Sequence, residues 1–201
     1  MDVDTGSKVP QASAEQSKAY RAGKEQTRVQ ETPQQYTKRI LGYVNGQEPL
    51  RVQQATPNKI ERLIRPLTRV QMRKRPAPGK WSIGEILAHL AETELVGGYR
   101  MRMILGNNGT PIQAFDQNVW ARNSNYSKHD PQTSLRMFRV LRESNLRLLK
   151  SLPNRKWSYY GIHAERGKET IARVVEMFAG HDINHLQQVE RIAKQFRPRQ
   201  K

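Results

Sequence analysis

Two of the five histidines stand four residues apart, as His181 and His185 in the segment HDINH. On a helix that spacing puts both side chains on one face, with Cβ atoms roughly 5–6 Å apart. Both imidazoles then reach a single ion at about 2.0–2.1 Å. The surroundings strengthen the reading. Val174, Phe178, His181, His185, Val189 and Ile192 follow one stripe in steps of three and four, which predicts that the pair faces the core. Two imidazoles buried side by side without partners are costly, and a shared cation satisfies both. His89, between Leu87 and Leu90 on an earlier apolar stripe, is the third candidate. A lone histidine there is ordinarily a hydrogen-bonded core residue; opposite a histidine pair it supplies a third ligand from a second helix. Three protein ligands leave coordination positions open, as catalytic rather than structural sites do. The expected metal ligands are therefore His89, His181 and His185. The expected cofactor is one divalent ion: zinc, nickel or iron.

Other polar residues are placed near this centre only by chain order. Asp116, Gln117 and Trp120 fall in a long loop between two helices. Asp116 is a catalytic candidate if that loop covers the metal mouth; it caps a turn, and Trp120 packs the bundle end, if it does not. His163 and Glu165 precede the last helix and are candidates for an acid–base pair or for partners of the ligands, with a plain loop role as the alternative. Glu85 is explained by a capping box. Glu92, Asp182 and Gln188 are candidates to orient the imidazoles. His129 reads as a surface loop residue. The chain has no H-E-x-x-H, no Glu-x-x-His pair of the di-iron kind, no Gly-rich phosphate loop and no G-x-S-x-G.

The elements that must carry the histidines are helices. Thr32-Pro33 is an N-cap followed by proline at the first helical position, and Asn45-Gly46 ends that helix. Thr56-Pro57 repeats the start signal ahead of Ile60, Leu63, Ile64 and Leu67, with Pro66 bending or ending the run. Ser82 and Glu85 form a capping box before a helix that reaches Gly106 and spans roughly 34 Å. Residues 106–130 read as a loop. Asp130-Pro131 opens a helix bearing Leu135, Phe138, Leu141, Leu146 and Leu149. Residues 151–168 read as a second loop, and the last helix runs from about Thr170 to Phe196. No stretch alternates convincingly as a strand. The expectation is an all-α helix bundle over 32–201, preceded by a disordered polar tail over 1–31.

Composition narrows the class. The chain has 201 residues, no cysteine and a formal charge of +17. Thiolate metal sites and disulfides are excluded. No apolar run is long enough for a membrane span and the first residues do not resemble a signal peptide, so a cytoplasmic protein with no membrane partner is expected. Residues 1–32 carry five basic and five acidic side chains, so the whole excess lies in 33–201. Arg69, Arg73, Lys74, Arg75 and Lys80 form one basic patch, and Arg191, Lys194, Arg197, Arg199 and Lys201 another. Such charge attracts polyanions. No nucleic-acid motif accompanies it, so a solvated surface is favoured over nucleic-acid binding.

The segments PAPGKWSIGEILAHLAETE, FDQNVWA, HAERGKETI and AGHDINHLQQVERI, in this order, resemble the DinB-like (damage-inducible) superfamily over about residues 32–196. The resemblance implies a bacterial metalloenzyme with a four-helix bundle and a divalent metal on three histidines. These map onto His89 in LAHL and onto His181 and His185 in HDINH. It also implies thiol-dependent transferase or isomerase chemistry as one outcome, with a low-molecular-weight thiol as co-substrate. The residues alone leave thiol transfer and metal-assisted hydrolysis both open. The expected partner is a small-molecule substrate, with a homodimer compatible. The alternative is a non-catalytic module, stapled by metal, whose basic surface holds polyanions.

Overall fold

The structure, a computed structural model, describes residues 31–196. The tail expected over 1–31 falls outside them except for Glu31, as do residues 197–201.

Capping chemistry starts the helices. In α1 (Pro33–Val44) the Thr32 hydroxyl accepts from the Gln35 amide, and the Gln35 side chain accepts from Thr32 N–H at 2.8 Å. Asn45 and Gly46 end it with positive φ. The second helix differs from expectation. α2 (Pro49–Ile64) begins eight residues before Pro57, capped by Glu48, whose carboxylate accepts from Leu50 and Arg51 N–H. Pro57 lies inside it. A proline there lacks the N–H that would bond the carbonyl four residues back. That carbonyl belongs to Gln53, and it accepts instead from Arg142 Nη1 at 2.7 Å. The break in the ladder is filled from another helix.

A short α3 (Arg69–Arg73) follows. Then α4 (Ile83–Gly106) opens on the predicted Ser82–Glu85 box. Two expected loops contain structure. Residues 106–130 hold β1 (Thr110–Ile112) and α5 (Gln117–Asn123). After α6 (Pro131–Lys150), the segment read as a loop over 151–168 holds β2 (Tyr160–His163), and β3 (Gly167–Thr170) follows. Strands of three and four residues are too short to display a period-two pattern in sequence.

The three strands form one sheet in the order β1-β2-β3. β1 runs parallel to β2, with Thr110 opposite Gly161; β2 runs antiparallel to β3, with Tyr160 opposite Thr170. Gly161 lets Ile112 pack close over β2: a Cβ there would stand 2.4 Å from Ile112 Cδ1, so the Ile112 side chain would have to move. Thr170 ends β3 and is also the N-cap of α7 (Ile171–Lys194), accepting from Arg173 N–H at 3.1 Å. Strand passes into helix with no residue between.

α2, α7, α4 and α6 pack in a closed ring, each against the next, as a four-helix bundle; α1 lies against α7. The principal core includes Ile60, Ile64, Ile83, Leu87, Leu90, Phe138 and Val189. A second cluster near the sheet includes Met101, Ile104, Leu149, Ile171 and Val175. α1 approaches α7 at Gly180, where a Cβ would come 2.0 Å from the Ile40 carbonyl oxygen. That contact lays α1, with Tyr36 and Arg39, beside the turn that carries His181.

Candidate metal centre

His89 projects from α4 among Ile86, Leu87 and Leu90, all buried. His181 and His185 project from the buried face of α7 that continues through Val189 and Ile192. Nitrogens that share one ion at about 2.0–2.1 Å stand about 3–4 Å from one another. His181 Nε2 stands 3.0 Å from His89 Nε2 and 3.0 Å from His185 Nε2. The three rings are buried.

Proton counting tests whether this donor set suits a cation. Each imidazole nitrogen has one in-plane position, occupied by a proton or a lone pair. His181 Nε2 therefore forms a true hydrogen bond with at most one of its two Nε2 neighbours. Gln188 Oε1 lies 3.0 Å from His185 Nδ1. As an acceptor it holds the proton on Nδ1 and leaves a lone pair on His185 Nε2. Burial first, and the charges of neighbouring groups second, hold the pKa of all three imidazoles well below the ordinary value. The neighbours are His185 for His89; His89, Arg142 and Arg39 for His181; and His181 and Arg39 for His185, where Gln188 opposes the shift. The set is thus neutral, convergent and under-bridged by protons. Those properties fit a divalent cation of borderline softness.

His181 and His185 reach the wall of a cavity of about 680 Å³, while His89 lies behind them against the Trp81 ring, whose centroid is 4.9 Å away. Gln117 and Asn118, at the start of α5, line the cavity too. The 106–130 segment therefore does border the site. Asp116 does so only indirectly: its Oδ1 accepts from Asn118 and Val119 N–H, so the carboxylate caps α5. Trp120 stacks on Phe115 with centroids 4.7 Å apart.

His163 and Glu165 are not among the residues lining the cavity. His163 is buried in β2, and its Nδ1 accepts from Glu165 N–H at 3.2 Å. Burial, then the positive charge of Arg166 and Arg100 against the opposing pull of Glu169, lowers its pKa to about 4. Its unfolded value is about 6.5, so below that pH the unfolded chain takes up the proton first. His163 should therefore erode stability as pH falls from about 6.5 to 4 and cost nothing extra above it. His163→Gln should flatten that acid limb relative to wild type in chemical denaturation at stepped pH. Identical pH profiles would show that the ring carries no such burden.

The remaining candidates divide. Gln188 meets the His185 imidazole through Oε1. Asp182 instead faces the buried Arg142, at 2.5 and 2.9 Å. Glu92 accepts from Tyr126 O–H at 2.6 Å. Glu85 clamps Arg75 in addition to capping α4. His129 lies in the loop before α6, half-buried, with its ring 5.8 Å from that of Tyr126. Sequence reasoning missed Arg39, Trp81, Asn118 and Asn184 on the cavity wall. Asn184 could have been found, since it shares the helical face of His181. Arg39 could not, because only the Gly180 approach brings α1 there.

Comparison with known proteins places this geometry. A family model for the DinB superfamily matches residues 54–189. The relatives OB0413 of Oceanobacillus iheyensis and YfiT of Bacillus subtilis are each named "putative metal-dependent hydrolase". OB0413 is 23% identical over 66% of this chain and 76% of its own length. YfiT is 20% identical over 72% of this chain and 82% of its own. The solved structure of YfiT, described as "a probable metal-dependent hydrolase with an unusual four-helix bundle topology", superposes with a TM-score of 0.67 at 18% identity. It covers 85% of this chain and 93% of YfiT.

Proposed function

The chain belongs to the DinB superfamily, and from that premise we propose that it is a metal-dependent hydrolase of a small molecule. His89, His181 and His185 hold its one divalent ion. The observation that carries the reading is the convergence of three buried Nε2 atoms on one point, with two 3.0 Å separations that protons cannot both bridge. A divalent ion held there supplies Lewis-acid activation of water and of the bond to be cleaved.

The chain's own residues prepare that chemistry. Burial keeps the three imidazoles neutral, as ligands must be. Gln188 fixes the tautomer and rotation of His185. Trp81 closes the centre on the His89 side and excludes water there. The 680 Å³ cavity reaches His181 and His185 and suits a small-molecule substrate. Zinc, nickel and iron all accept imidazole ligands, and the three-nitrogen set does not choose among them. A thiol co-substrate would enter the same cavity. It would have to come from outside, since the chain has no cysteine, and transfer to such a thiol is the second reading.

Removing the ion tests the proposal. The purified full chain should carry about one divalent ion by elemental analysis. Stripping it with a chelator should reduce hydrolysis of 4-nitrophenyl acetate to background, and restoring zinc or nickel should return it. Hydrolysis that persists undiminished in the stripped protein would overturn the reading. Transfer to an added thiol in place of hydrolysis would favour the second.

A further inference from the structure

The cavity beside the histidines is lined by cations from three separate elements. Arg39 comes from α1, Lys80 from the turn before α4, and Arg191 from the far end of α7. Among the described residues that line it there is no aspartate or glutamate. Side-chain amides supply most of the remaining polarity, including Asn118, Asn184 and Gln188.

Several cations elsewhere on the surface are answered by acids. Arg75 pairs with Glu85, Arg69 with Asp130 at 3.7 Å, Arg139 with Glu61 at 3.1 Å, and Lys194 with Glu190 at 3.0 Å. Lys80 and Arg191 have no such partner among the described residues. Arg39 is held toward the cavity, with Nη1 donating to Asn184 Oδ1 at 3.3 Å. Along α7 the lining runs from His181 and His185 through Gln188 to Arg191 as one stripe. It rises about 9 Å from the level of His185 to that of Arg191. Trp81, Ile86 and Ile192 give the cavity apolar wall, and fixed charge beside low-dielectric walls concentrates anions.

Building on the hydrolase reading, we infer that the substrate of this site is a small anion. Its carboxylate or phosphate is received by Lys80 and Arg191, and its hydrolysable bond lies toward His181 and His185. Arg39 and the amides border the space between these ends, where they can donate to the polar middle of such a molecule. Guanidinium and ammonium groups bind carboxylate and phosphate through charge-assisted hydrogen bonds, and those are the bonds this stripe offers.

Two readouts test the inference, one of them independent of turnover. Glutarate, and separately inorganic phosphate, is titrated calorimetrically into the metal-free full chain. At least one should bind, and K80Q/R191Q should weaken that binding by about tenfold or more, as loss of charged hydrogen bonds implies. The control R73A/K74A alters the outer basic patch and should bind as wild type does. In the metal-loaded protein, the preference for 4-nitrophenyl hemiglutarate over 4-nitrophenyl acetate should fall by a similar factor of about ten in K80Q/R191Q. Glutarate and phosphate binding that is absent, or unchanged in K80Q/R191Q, overturns the inference. So does binding lost in R73A/K74A instead, which would place anions on the outer surface. If neither ester is hydrolysed but binding depends on Lys80 and Arg191, the anion site stands and the hydrolase reading falls. If both esters are hydrolysed without preference and binding ignores Lys80 and Arg191, the reverse holds.

Discussion

His181→Ala should abolish the stabilisation that added zinc gives to the wild-type protein. His181 is the middle one of the three histidines, since its Nε2 is the one at 3.0 Å from both other Nε2 atoms. Losing even a residue that merely orients a ligand weakens metal binding about 10–100-fold, so losing a ligand should weaken it by at least the upper figure. At a free zinc concentration about 100 times its dissociation constant, wild type gains about 2.7 kcal/mol, and the variant at the same zinc should gain almost none. The metal-free comparison should look different. Without an ion, the imidazole of His181 is crowded by two others and lacks a proton to bridge both. Removing it relieves that crowding while opening a small cavity, so the metal-free melting temperature should shift little. Thermal melts with and without zinc, on both proteins, separate these effects. An equal zinc-induced rise in His181→Ala would remove the ion from this site.

Arg142→Met should cost far more stability than any surface substitution, although Arg142 does not line the cavity. It is 2% exposed, among the largest fully buried side chains of the protein. Its guanidinium meets Asp182 through two nitrogens, Glu94 Oε2 at 2.9 Å and the Gln53 carbonyl. Burial alone would pull its pKa down, but the two carboxylates outweigh burial and raise it, so it remains protonated. Methionine keeps much of the volume and removes every one of these contacts. It leaves two carboxylates and a carbonyl in the interior with no counter-charge. Breaking a buried ion pair from one side costs about 3–5 kcal/mol, a large share of the roughly 5–15 kcal/mol that holds a domain together. Arg142→Lys should rescue little, because a point charge cannot serve a forked set of acceptors. Urea unfolding should show the loss as a lower midpoint at similar slope. A change below about 1 kcal/mol, the size expected of an exposed pair, would mean that water already reaches these groups.

The contrast between these two residues shows what the sequence displays and what it hides. His181 and His185 were legible because four-residue spacing on an apolar stripe is a local pattern, and α4 and α7 were legible from a capping box and a long periodic run. The bundle follows from such helices and from the family resemblance together. Arg142 was not legible. It sits 40 residues from Asp182 and 48 from Glu94 in sequence, and each of the three alone reads as a solvated charge. Only the fold makes them partners. The same long-range contact misled the reading of α2. Thr56-Pro57 is a stronger start signal by residue type than Glu48-Pro49, yet Pro57 is tolerated inside the helix because Arg142 serves the carbonyl it strands. Lys80 and Arg191 were visible only as members of two separate basic patches, and nothing local in the sequence joins them at one cavity.

The junction at Thr170 has a consequence for how the histidines find one another. A helix advances about 100° in azimuth for every residue. Because β3 runs into α7 without a spacer, the pairing of Tyr160 with Thr170 sets the angular phase from which α7 starts to wind. A slip of one residue in that pairing would turn the face bearing His181 and His185 by about 100°, away from His89 and toward a neighbouring helix or solvent. The three short strands thus work as an index mark for a helix whose paired histidines lie more than two turns away. One inserted residue between Glu169 and Ile171 would leave the chemistry of His181 and His185 intact and put them out of aim.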